Sequence, residues 1–173
     1  GLFSIPVLEP GTGEPVPAGD ESISVSDVSA GGDYLLCMSH KPGTYGSTLW
    51  TLHLPSGTRR KLVDRTGVAY VWGGRFSPDG RWVAYHSTEV TPSQVYVISF
   101  TEPGRPRQIS ADGGSWPHWS GDGRTIFFAR DNELFTVEFD ASTGEAGRPR
   151  RLDHLPAFRA GTRANAPTMT GVA

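Results

Sequence analysis

The chain is short of several things, and each shortage removes a class of explanation. Cysteine occurs once, as Cys37, so no intrachain disulfide can form and the fold does not rest on oxidation. Cys37 lies in the apolar run Tyr34-Leu35-Leu36-Cys37-Met38, where a small buried hydrophobe is expected rather than a reactive thiol. No stretch approaches ~18 consecutive apolar residues, and so no membrane partner is expected. An excess of one charge is also missing. Sixteen Lys+Arg balance eighteen Asp+Glu to a net charge of −2, which argues against a nucleic-acid footprint and a polybasic patch. The start, Gly1-Leu2-Phe3-Ser4-Ile5-Pro6, has neither an initiator Met nor the regions of a signal peptide. A processed chain and an excised segment would both begin this way, which leaves the compartment open between cytoplasm and a periplasmic or extracellular location.

What the chain has instead is turn formers and rings. It carries 22 glycines, 14 prolines, five Trp, five Tyr and eight Phe in 173 residues. That mixture disfavours both a helical bundle and a disordered chain, and points to a turn-rich β protein.

Internal repetition then decides the architecture. Arg75-Phe76-Ser77-Pro78-Asp79-Gly80-Arg81-Trp82-Val83-Ala84-Tyr85 returns 43 residues later as His118-Trp119-Ser120-Gly121-Asp122-Gly123-Arg124-Thr125-Ile126-Phe127-Phe128. A weaker copy, Asp27-Val28-Ser29-Ala30-Gly31-Gly32-Asp33-Tyr34-Leu35-Leu36, precedes it by 48 residues, with the extra length placed in His40–Ser47. Each copy predicts a first strand ending in Ser, a tight turn, a mostly apolar second strand and an alternating third strand. Pro78-Asp79-Gly80 suits the turn: Pro presets φ, Asp bonds locally and Gly takes the left-handed position. Basic segments close the copies: Arg59-Arg60-Lys61, Arg105-Pro106-Arg107 and Arg148-Pro149-Arg150. On an outermost strand, Arg, Lys and Pro would blunt an unpaired edge.

Four short antiparallel strands in 40–45 residues are the signature of a propeller blade. The expected fold is all-β, a β-propeller of four-stranded antiparallel blades with about three and a half blades present. Blades are placed at 22–63, 68–110 and 115–152. Residues 1–20 read as the third and fourth strands of a preceding blade, and 157–173 as an irregular tail or the start of another. Propellers usually have about four to eight blades. The chain therefore reads either as part of a longer propeller or as one half of a ring assembled by a homodimer.

Ser77-Pro78-Asp79-Gly80-Arg81-Trp82-Val83-Ala84-Tyr85, followed by Val95-Tyr96-Val97 and Arg107-Gln108-Ile109-Ser110, resembles the TolB-like (PD40, WD40-like) β-propeller repeat. Residues 74–137, with Gly113-Gly114-Ser115-Trp116-Pro117-His118-Trp119-Ser120 among them, further resemble propeller segments C-terminal to bacterial serine/threonine kinase domains. The resemblance implies a soluble bacterial repeat protein. It speaks to fold and is nearly silent on function. The first copy departs from it at Ser29-Ala30-Gly31-Gly32 and the third at Gly121, though both remain competent to turn.

No catalytic constellation is visible in the residues. There is no Gly-x-Ser-x-Gly elbow, no His-x-x-x-His pair among His40, His53, His86, His118 and His154, and no EF-hand calcium loop. Asp112 and Asp122 can be nominated as an acid/base pair, but nothing in the sequence fixes their separation. No catalytic residue, metal or cofactor is expected. Ligand contacts in a propeller lie where first strands and their loops converge, which nominates Trp72, Arg75, Trp116 and His118. Phe76 and Trp119, at repeated positions, are assigned to packing between blades. The expected function is a non-enzymatic binding or scaffold module for a protein or small-molecule ligand, as part of a larger protein. The alternatives are the propeller of a prolyl-oligopeptidase-type serine peptidase and a propeller glycosidase or lyase fragment.

Overall fold

The computed structural model describes residues 2–4, 14–16, 20–102 and 104–153. The assignment of 157–173 lies outside these residues, as does His154. β1 (Leu2–Ser4) and β2 (Glu14–Val16) form a two-stranded antiparallel pair. Three antiparallel sheets follow, each in simple meander order. The first comprises β3 (Ser22–Val28), β4 (Tyr34–His40), β5 (Thr48–His53) and β6 (Thr58–Asp64). The second comprises β7 (Val71–Phe76), β8 (Trp82–Ser87), β9 (Gln94–Ser99) and β10 (Arg107–Gln108). The third comprises β11 (Ser115–Trp119), β12 (Thr125–Arg130) and β13 (Glu133–Asp140). Its outer position is shared by two short pieces, β14 (Glu145–Ala146) and β15 (Arg150–Arg151), which both pair with β13. No helix occurs among the described residues, and none is long and apolar enough to cross a membrane. The fold is all-β, a partial propeller of stacked blades.

The repeated serine explains why each first hairpin turns where it does. Ser77 Oγ donates to Asp79 Oδ1 and accepts from the Trp82 amide at 2.9 Å, while the Arg81 amide donates to the same carboxylate oxygen at 3.1 Å. Ser120, Asp122, Arg124 and Thr125 repeat the arrangement bond for bond. In the first blade Ser29 Oγ still accepts from the Tyr34 amide at 3.0 Å, but Gly31 stands where the carboxylate would be. The serine therefore sets the turn, and the aspartate reinforces it in two blades.

Most of the core lies between the blades, with a smaller cluster of Cys37, Trp50 and Leu52 on the first blade alone. Strand alternation gives each blade two faces. Leu36 and Leu49 of the first meet Val71, Phe76, Val83, Tyr85 and Ile98 of the second. Ala84, Val95 and Val97 of the second meet Ile126, Phe128, Phe135 and Val137 of the third. Burying a residue such as Phe128 contributes about 1.5–3 kcal/mol, so the seams hold the stack together. Phe100, just past β9, and Phe139, near the end of β13, wedge edge-on into them. Phe100 meets Tyr34 and Phe76, and Phe139 meets Trp82 and Trp119. Phe76 and Trp119 thus serve packing between blades.

Two of the basic segments do more than guard an edge. Arg60 on β6 donates through Nη2 to the Phe100 carbonyl of the next blade, with its guanidinium 4.4 Å from the Phe100 ring. Arg107 on β10 donates to the Thr143 carbonyl of the blade after it at 2.9 Å. Each reaches the turn between the third and fourth strands of its neighbour. Tryptophans add a second bond across the second seam: Trp82 Nε1 donates to the Ala141 carbonyl and Trp119 Nε1 to the Arg75 carbonyl. The long planar side chains can leave their own strand and satisfy a carbonyl on the next sheet. Composition shows them only as charge and bulk.

Candidate functional site

Antiparallel order sorts the connections to two ends. Turns between first and second strands and between third and fourth strands gather at one end. The 41–47 and 88–93 loops gather at the other, with the blade-to-blade connections 65–70 and 109–114. First strands begin at this loop-bearing end, which brings Trp72 and Trp116 there.

All three first strands carry a register break at the same place: between Val25 and Asp27, between Trp72 and Arg75, and between Ser115 and His118. One form of bulge puts a residue in the left-handed region; in the second blade Gly73 takes it at φ 60°, while Val25 at the same place in the first blade does not. In the third blade the equivalent residue is Trp116, at φ 55° and 57% exposed. A bulky residue in that region is a conformational outlier that costs about 1–3 kcal/mol. Its indole lies over Gly73 and 5.1 Å from the ring of His86, and its amide donates to His86 Nδ1 at 3.3 Å. His86 is buried, and burial pulls its pKa from 6.5 down to about 4. A neutral imidazole is what that bond requires, since Nδ1 must keep its lone pair.

Trp72 pairs with His86 across β7 and β8 and is 37% exposed. It stacks on Tyr70 at 5.7 Å, and Tyr70 meets exposed Tyr45 edge-on at 5.0 Å. The loop-bearing face therefore carries a line of aromatic rings, Tyr45–Tyr70–Trp72, with Trp116 beyond His86. A flat apolar surface with hydroxyl and indole donors at its edges suits a ligand with both apolar and polar faces.

Further along the first strands, Asp27, Arg75 and His118 occupy one repeat-equivalent position, one per blade. Arg75 Nη1 donates to the Ser26 and Gly74 carbonyls, and the Phe76 amide donates to Asp27 Oδ2 at 2.8 Å. His118 is exposed on its strand. Partial desolvation and then the Arg75 charge hold its pKa below the ordinary value, against the opposing pull of Asp27.

The structure thus gathers the four nominated residues into two layers, Trp72 with Trp116 at the rim and Arg75 with His118 on the inner strands. It adds His86, Tyr45, Tyr70 and Asp27. Asp27 could have been found by aligning the repeats, and Tyr70 by its i, i+2 spacing from Trp72. Nothing in the sequence marks His86, which sits in an apolar strand. Asp112 and Asp122 are separated by the fold. Asp112 is on the loop-bearing end, 3.5 Å from Arg130, and Asp122 is in a turn at the opposite end. That opposite end has an open cleft of about 740 Å³ with Asp79, Asp122, Glu138, Asp140 and Glu145 in its walls. Hydroxyl and backbone donors of their own turns hold Asp122 and Asp140 below the usual carboxylate range. No group of three or more His, Cys, Asp or Glu that could hold a metal occurs among the described residues.

No family model and no curated protein matches the chain. Solved structures do, and their likeness is that of the β-propeller fold. A TolB-type protein from Agrobacterium tumefaciens superposes with a TM-score of 0.60 at 19% identity, covering 79% of this chain and 52% of that one. TolB from Acinetobacter baumannii gives 0.53 at 17%, covering 78% and 33%. The β-propeller domain of the Trilobed protease from Pyrococcus furiosus gives 0.55 at 17%, covering 76% and 43%. The chain spans about half the length of the first of these structures and less of the others.

Proposed function

We propose that this chain is a non-enzymatic binding module that contacts a protein or small-molecule ligand through its loop-bearing face. Trp116, Trp72 and the inner-strand residues Arg75 and His118 form the contact surface. One observation carries the reading: Trp116 is exposed and held left-handed at a bulge where the neighbouring blade uses glycine. Packing alone would favour glycine there, so a role outside the fold accounts for the tryptophan.

Peptide and glycan panels read by tryptophan fluorescence test this directly. Ligands that shift the emission are expected to lose at least tenfold in affinity to W116G, and less to a Trp72→Phe variant. Ligands that bind W116G and the wild type equally, or that are turned over, would contradict the reading. A second reading, the propeller of a serine peptidase, draws on the propeller domain of the Pyrococcus furiosus protease. It requires a Gly-x-Ser-x-Gly segment elsewhere in the parent reading frame.

A further inference from the structure

The seam between the second and third blades holds a small polar pocket at the turn-bearing end, away from the aromatic line. Its volume is about 240 Å³, and Arg81, Arg105 and Arg107 line it. Arg81 comes from the turn between β7 and β8, and the other two from the stretch that leads into β10. None of the three forms an ion pair among the described residues, and neither does Glu102, the one carboxylate in the walls. Two hydroxyls there keep a free donor. Ser99 Oγ accepts from the Glu102 amide at 3.0 Å and Thr143 Oγ1 from the Glu145 amide at 3.2 Å, which leaves each O–H to donate elsewhere.

Closing the seam does not require three arginines. The Leu54 and Phe100 amides donate to the Asp33 and Arg81 carbonyls, so Asp33 stands in the first blade where Arg81 stands in the second. Arg60 and Arg107 hold matching places opposite Thr51 and Val97, and two residues before them stand Thr58 and Arg105. The first seam closes with Arg60 alone, through the Phe100 carbonyl, and Arg107 makes the same crossing to Thr143. Arg81 and Arg105 are therefore surplus to the joint. Gathering like charges costs free energy unless an anion offsets it.

From this we infer that the pocket binds a phosphate-type dianion, either free phosphate or the phosphoryl group of a small phosphomonoester. Guanidinium forks are always charged and match the paired oxygens of such a group. One arginine satisfies a carboxylate; three suit a group with two charges and several acceptor oxygens. The volume lies below the about 300–1,000 Å³ of pockets that enclose a drug-sized ligand, so the anionic head enters and any organic portion stays outside. With arginines from the second blade and the Thr143 hydroxyl from the third, the bound anion bridges the seam. A ligand that binds only the folded chain raises its stability. This holds whatever the loop-bearing face binds.

Titration calorimetry of the whole chain with inorganic phosphate, glycerol phosphate and acetate, at pH 8 and constant ionic strength, tests the site. The better of the two phosphates is expected to bind at least tenfold more tightly than acetate. Tighter binding of glycerol phosphate assigns the pocket to a phosphomonoester, and the reverse order assigns it to free phosphate. Arg81→Ala and Arg105→Ala, both exposed, should each weaken that binding at least fivefold. Arg148→Ala, an exposed arginine outside the pocket, should leave it unchanged. Urea midpoints should rise with phosphate in the wild type and stay level in the Arg81→Ala, Arg105→Ala double variant. Failure of both phosphates to bind, equal affinity for acetate, or equal losses in all three single variants would overturn the inference.

Discussion

Gly46→Ala is expected to lower folding stability by about 3 kcal/mol, the sum of a left-handed backbone penalty and an overpacked contact. Gly46 sits at φ 86°. A Cβ there would lie 2.3 Å from the Arg65 carbonyl oxygen and 2.8 Å from that of Ala69, both backbone atoms that cannot rotate aside. The approach is close because the 41–47 loop is laced to the connection between the first two blades. Ser47 donates to the Ala69 carbonyl, Arg65 to the Ser47 carbonyl, and Gly67 to the Tyr45 carbonyl at 2.7 Å. Ser47 Oγ adds an acceptor for the Val71 amide at 2.8 Å. The same lacing holds Tyr45 against Tyr70, so the variant should also disturb the aromatic line on that face. Gly43→Ala is the control. Its φ is 78° but its surroundings are open, so only the backbone penalty of about 1 kcal/mol applies. Urea unfolding of the two variants separates strain from collision. Equal losses would show that the collision relaxes.

The second large effect is a pH dependence set by His86. Burial lowers its folded pKa to about 4 from an ordinary 6.5. As pH falls below 6.5 the unfolded chain takes up a proton that the folded chain refuses. Stability contributed by the neutral ring is therefore complete above pH 6.5, is lost as the pH falls to about 4, and changes little below that. At about 1.4 kcal/mol for each pH unit of displacement, the loss is about 3 kcal/mol. His118, whose pKa is also held down, acts in the same direction. The His86 share is isolated by His86→Gln, which cannot ionise. Denaturant midpoints measured from pH 7 to pH 4 should fall steeply in the wild type and less in the variant. Parallel profiles would mean that the imidazole is already solvated in the folded state.

Much of the fold was legible because the repeat is written in turn chemistry. Ser77, Asp79 and Gly80 each have a local task that recurs at Ser120, Asp122 and Gly123, and a local task leaves its mark in the sequence. The alternation in β5, β9 and β13 likewise reports two buried faces. The seams were much less legible. Arg60 and Arg107 read as edge guards, because their acceptors, the Phe100 and Thr143 carbonyls, belong to another blade and backbone carbonyls have no residue identity. The candidate face was legible in part. Trp72 and Trp116 stand at strand starts, where a propeller gathers its loops. That Trp116 occupies a left-handed bulge could not be read, because the same bulge in the first blade carries Val25 without a left-handed residue, and glycine at 73 has several ordinary explanations. His86 was invisible for a simpler reason. Its importance comes from burial beneath Trp116, and burial in an apolar strand gives a histidine no distinguishing neighbours.

The tryptophan at position 116 serves either the fold or a ligand. If it serves the fold, its removal should be costly; if it serves a ligand, the fold should hardly notice. Releasing the left-handed strain recovers about 1–3 kcal/mol, which offsets a comparable loss of contact with Gly73 and His86. The deciding measurement is the equilibrium unfolding free energy of W116G beside that of the wild type at pH 7. The prediction is a difference within about 1 kcal/mol. A loss well beyond ~3 kcal/mol, the size of a buried aromatic removed from a core, would contradict it.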